Sequence, residues 1–94
     1  MFNEKAIKDS ILAFLKLAGL RDRFDENLSI AYWDTTVGKE IARQTEPQKV
    51  VDGIMFVKVE SDAWRQELAF FKHEIIQKLN DKIGKTAIKE IKFY

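Results

Sequence analysis

Asp52-Gly53, set between two β-rich runs, constrains this chain more than any other feature. Lys49-Val50-Val51 precedes the pair and Ile54 to Val59 follows it. A two-residue hairpin turn needs positive φ at both central positions, and Asp-Gly meets that need at little steric cost. The sequence therefore predicts a β-hairpin here, and the apolar period on either side of it must accommodate a sheet.

Upstream of Pro47 the period is helical. Asn3 can cap a helix whose apolar positions Ile7, Ile11, Phe14, Leu15 and Ala18 recur at three and four, with Gly19 as a left-handed stop. A second helical stretch places Leu20, Phe24, Leu28, Ala31 and Tyr32 on one side, and Trp33, Val37 and Ile41 then recur every four residues up to Thr45. Gly38 interrupts this run and marks a bend or a close contact. Downstream of the hairpin, Ser61 offers an N-cap with Asp62 at the positive helix end, for one long helix reaching about Lys82 with the stripe Trp64, Leu68, Phe71, Ile75, Leu79. Gly84 ends it, and Ile88 to Phe93 alternates as a last strand.

The expected order is helix, helix, strand, strand, helix, strand. A strand, a helix and a strand in succession form a crossover, so the last strand should run parallel to the second in a small three-stranded mixed sheet. Helices then cover one face only. Met55, Val57 and Val59 with Ile91 and Phe93 point to them, leaving Phe56, Lys58, Lys92 and Tyr94 on the other side. The fold class is α+β.

Ninety-four residues with 46% apolar and 33% charged side chains describe one globular domain over 1–94, with no linker, repeat or tail in view. A chain this short buries only about 60–65% of its unfolded surface, so few residues are spare for a catalytic cavity. Sixteen Lys+Arg against fifteen Asp+Glu give +1, too near neutrality for a generic polyanion binder, although a local basic patch remains open. Without Cys, and with His73 as its one histidine, the chain lacks thiol chemistry and the usual metal ligands, so no cofactor is expected. The longest apolar run, Ile11 to Leu15, is far too short to span a membrane or to form a secretion signal. A cytoplasmic location follows as the expectation, with neither a membrane nor a small-molecule substrate as partner.

Three groups of residues together resemble one family. Trp33-x-x-x-Val37-Gly38-x-x-Ile41-Ala42-x-x-Thr45-x-Pro47 is followed by Gly53-x-x-Phe56-Val57-x-Val59-x-Ser61-x-x-Trp64-x-x-Glu67-Leu68, and then by Leu79-Asn80 and Gly84. Over about residues 20 to 93 this is similar to the DciA-like family of bacterial replication proteins. The resemblance implies a domain like the K-homology (KH) fold that acts with the replicative DNA helicase and promotes its loading onto single-stranded DNA. It implies no ATPase, and Gly84-Lys85-Thr86 lacks the earlier glycine of a phosphate-cradling loop. The Gly-x-x-Gly loop by which K-homology domains clamp a nucleic acid backbone is absent. A flexible basic extension, which many family members carry, is not expected here, so no DNA contact made by such a tail is carried over.

Among single residues, Trp33 and Trp64 read as core rather than as interface anchors, because both follow apolar stripes. His73 has no nearby group to make it a general base and reads as a surface residue beside a partner contact. Phe70 lies off the apolar stripe; it either packs under the N-terminal helix or docks another protein, and with His73 it forms the candidate partner site. Residues 78 to 94 carry five Lys and two acidic residues. That basic end is either solvated charge or a nucleic-acid surface built from Lys58, Lys85, Lys89 and Lys92 with Phe56 and Tyr94. A free-standing single-stranded DNA or RNA binder is the competing functional class.

Overall fold

The computed structural model describes residues 3–94. Helix α1 spans Glu4–Leu17, α2 Arg21–Val37 and α3 Lys39–Gln44; β1 (Thr45–Val51) and β2 (Ile54–Val59) follow, then α4 (Asp62–Phe70), α5 (Lys72–Ile83) and β3 (Glu90–Phe93). The architecture is α+β, with sheet order β1-β2-β3. Strand β2 is central, antiparallel to β1 and parallel to β3, as the crossover rule requires.

The hairpin forms for the reason its sequence gives. Asp52 and Gly53 have φ of 51° and 80°, both positive as a two-residue turn requires. Gly53 is needed twice over, because a Cβ there would lie 3.2 Å from the side chain of Lys89. Its N–H donates to Glu26 Oε2 at 2.8 Å and its carbonyl accepts from Lys89 N at 2.8 Å. The turn is thereby fastened to α2 and to the segment that leads into β3.

The core lies between the sheet and α2, α4 and α5. Trp33, Met55, Val57, Leu68, Leu79, Ile88 and Ile91 are wholly buried. Trp33 packs against Phe93, ring centroids 6.5 Å apart. Its Nε1–H donates to Thr45 Oγ1 at 2.8 Å, and the Thr45 hydroxyl donates in turn to the carbonyl of Ile41 at 2.8 Å. A large ring is thus buried with its one polar atom satisfied, which removes the cost of hiding an indole N–H. Gly38, at φ 89°, separates α2 from α3 and lets the chain turn into β1.

Several expectations are corrected. Strand β1 starts at Thr45 and includes Pro47, which is tolerated because β1 is an edge strand and the register shifts between Pro47 and Lys49. The long helix is two helices broken at Phe71, whose N–H bonds to the Leu68 carbonyl at 3.1 Å, one residue short of the helical step. Helix α4 packs on β2 and β3 whereas α5 packs mainly on α2, and one straight axis cannot follow both. The break leaves Leu68, Ile75 and Leu79 buried but turns Phe71 outward and leaves Trp64 only half-buried. Phe70 does not pack under α1; it is 84% exposed. The last strand begins at Glu90, and Ile88 is buried ahead of it.

Asn80 accounts for that last offset. Its Oδ1 accepts from the backbone N–H of Ala87 at 3.1 Å and of Ile88 at 2.8 Å, while its Nδ2 donates to the Ile88 carbonyl at 2.9 Å. The loop after Gly84 is held to α5 by these bonds, and Ile88 is drawn into the core before the ladder starts.

Candidate nucleic-acid interface

The face of the sheet turned away from the helices is built by strand alternation. On β2 it carries Ile54, Phe56 and Lys58, since Met55, Val57 and Val59 fill the core. The register sets Lys49 of β1 and Lys92 of β3 on either side of Phe56. One row therefore reads Lys49, Phe56, Lys92 across all three strands. In the next row Glu46 is paired with Lys58, and Tyr94, 51% exposed, follows directly after β3, its N–H donating to the Val57 carbonyl at 3.0 Å.

A shallow depression of about 420 Å³ lies over this surface, lined by Lys49, Phe56, Lys92, Phe93 and Tyr94. The Lys49 ammonium stands 5.2 Å from the centroid of the Phe56 ring, within cation–π range. Among the described residues, Lys49, Lys58 and Lys92 form no ion pair. Three free ammonium groups and two accessible rings are the components of a stacking platform for single strands.

Lys85 and Lys89 lie elsewhere. Both line a cleft at the hairpin-turn end together with Asp22, Glu26 and Asp52. Lys85 Nζ is 2.9 Å from Asp25 Oδ2 and 3.0 Å from Asp22 Oδ1, and hydrogen bonding to these carboxylates holds its pKa above the ordinary lysine value. Asp25 is buried and accepts also from Arg21 Nε at 3.0 Å. The aliphatic part of Lys89 covers Gly53. The charge of Lys85 is thus already matched within the chain, in a cleft that shares no lining residue with the depression over Phe56.

Lys49 is absent from the residues singled out in the sequence, though a signal for it existed. A two-residue turn fixes register, and counting three residues back from Asp52 sets Lys49 opposite Phe56.

Phe70 and His73 are exposed at the junction of α4 and α5, beside the half-exposed Phe71. Next to them Lys72 Nζ is 3.3 Å from Glu90 Oε1. Glu90 also accepts from the backbone N–H of Ile91 at 2.8 Å; that bond first, and the Lys72 ammonium second, hold its carboxyl below the usual carboxylate range. No helix among the described residues is long and apolar enough to cross a membrane.

Residues 6–93 match the family described as "Dna[CI] antecedent, DciA". Similar curated proteins include a UPF0232 protein of Rhodococcus jostii, 30% identical over 80 residues that make up 85% of this chain and 43% of the relative. A UPF0232 protein of Mycobacterium tuberculosis is 27% identical over 77 residues, 82% of this chain and 41% of the relative. The chain thus spans less than half the length of these relatives. With the family match running through every element from α1 to β3, this chain belongs to the DciA family.

Proposed function

We propose that this chain is a non-enzymatic DNA-replication accessory domain that binds the replicative DNA helicase and promotes its loading onto single-stranded DNA. Family membership carries this reading, because it supports a role related to DNA replication. The mechanism is docking: preference for one helicase conformation shifts the helicase toward it, since a binding protein moves an equilibrium only by its difference in affinity. Phe70, with His73 beside it, is the proposed contact on the helicase side; a large ring exposed at a helix junction is the kind of group that anchors an interface. The open sheet face holds the strand weakly and without reading sequence, through stacking on Phe56 and Tyr94 and phosphate contacts from Lys49, Lys58 and Lys92.

The test is capture of the organism's own replicative helicase, with and without nuclease. Nuclease-resistant capture that Phe70→Ala weakens at unchanged melting temperature is the expected result. Failure to bind at tens of micromolar overturns helicase docking. The second reading, a free-standing binder of single-stranded DNA or RNA, rests on the row Lys49, Phe56, Lys92. It predicts capture that disappears with nuclease and binding to oligo-dT that does not depend on Phe70.

A further inference from the structure

Helix α1 is amphipathic; Leu12 and Leu15 are half-buried against its own chain, but none of its residues is fully buried. Ile7, Ile11, Phe14 and Ala18 recur at four, three and four, the spacing of a helix-pairing seam, and the three large ones stay exposed. With Leu17, Leu20 and Phe24 they range from 36% to 90% exposed. At about 200 Å² for such a side chain, they leave roughly 600 Å² of apolar surface on α1 and the start of α2. That equals the largest patch usual for a monomer and approaches the roughly 800 Å² that each partner contributes to a stable interface. The molecule is accordingly elongated, 52 × 26 × 19 Å, with a radius of gyration of 14.9 Å against about 12 Å for a compact chain of this length. Between α1 and α2 lies a cleft of about 620 Å³ whose apolar walls include Ile7, Ile11, Leu12, Leu28 and Tyr32.

We infer that α1 pairs with α1 of a second copy of this chain, forming a two-fold homodimer through the seam and the adjoining cleft. Antiparallel pairing sets Ile11 against its own counterpart and Ile7 against the counterpart of Phe14, so each copy supplies both the ridge and the cleft. A closed two-fold contact consumes the patch, whereas a head-to-tail contact would leave one apolar face open at each end. The apolar area available approaches what each partner of a dimer contributes and the seam is complementary to itself, which favours a second copy over an unrelated helix.

Sedimentation equilibrium of the full chain tests this. A reversible doubling of mass up to about 100 µM is expected for an interface of this area. Ile11→Glu/Phe14→Glu should give a monomer that melts where the wild type melts at concentrations too low for it to pair, because more than half of each side chain is exposed on its own chain. As the chain has no Cys, Ile11→Cys adds a single thiol at the two-fold axis. Mild oxidation should then give a covalent dimer, while Asp34→Cys, on the exposed side of α2, should not. The inference is overturned by a wild-type monomer at 100 µM, by a dimer that survives the double substitution, or by cross-linking of Asp34→Cys as readily as Ile11→Cys.

Discussion

The two faces of this sheet are made by the same residues in alternation and obey different constraints. On the covered face Met55, Val57 and Ile91 are wholly buried beneath Trp33 and the helices. On the open face Phe56, Lys92 and Tyr94 surround a shallow depression with Lys49. A side chain on the first face is fixed by shape, so changing it should cost stability. One on the second is fixed by little within the chain, so its chemistry is free to serve a ligand.

The comparison breaks most visibly at Trp33. Trp33→Ala should cost about 3–5 kcal/mol in urea unfolding, a large share of a domain's stability. Its deletion removes the ring over the sheet and leaves the Thr45 hydroxyl without its donor. A loss below about 1 kcal/mol would mean that the covered face is not the fold's anchor.

Asn80→Ala comes next, at about 2–3 kcal/mol, because it leaves the N–H and the carbonyl of Ile88 without their partner, while the Ala87 N–H keeps the Lys85 carbonyl. It should also weaken oligo-dT binding, since the loop it holds sets the register that turns Ile91 inward and Lys92 outward. Stability loss with intact binding would separate the two faces more fully than the register implies.

On the open face the effects should appear in binding. Phe56→Ala is expected to weaken oligo-dT by about 1–3 kcal/mol of stacking, with a smaller change in unfolding. Three lysines imply a slope of log affinity against log salt near −2, and Lys49→Ala/Lys92→Ala should make it shallower by about 1.4. Wild-type affinity and slope in both variants would show that the domain acts through protein contacts alone.

The smallest effect concerns Glu90, at the edge between the faces. Its folded pKa lies below its unfolded value, so its contribution is present above the unfolded value and is lost as pH falls through the folded one. Its side chain is 46% exposed, so solvent screens the effect. Glu90→Gln should flatten the acid limb of the stability curve slightly. An unchanged acid limb would show that its bond to Ile91 does not survive in solution.

Much of this was legible beforehand because it is local. The Asp52-Gly53 turn, the caps at Asn3 and Ser61 and the stop at Gly84 each depend on a few adjacent residues. The family motif is legible for a different reason: Trp33 with Thr45, Gly53, Ser61 and Asn80 are residues whose bonds hold the fold together, two of them across 12 and 27 positions. Which side chains turn away from the helices was legible from alternation alone. Lys49 was missed because the hairpin register was not followed one strand back.

The sequence by itself determined the hairpin, the order of helical and strand segments and the alternation that separates the sheet's two faces, since hydrophobic period and turn chemistry act over a few residues. Only the tertiary structure decided three other things. It broke the long helix at Phe71 so that α4 could follow the sheet and α5 could follow α2. It matched Lys85 with Asp25 and Asp22, sixty and more positions away in the chain. It left the apolar seam of α1 uncovered. Each of these depends on which distant surfaces meet, and neither period nor propensity carries that information.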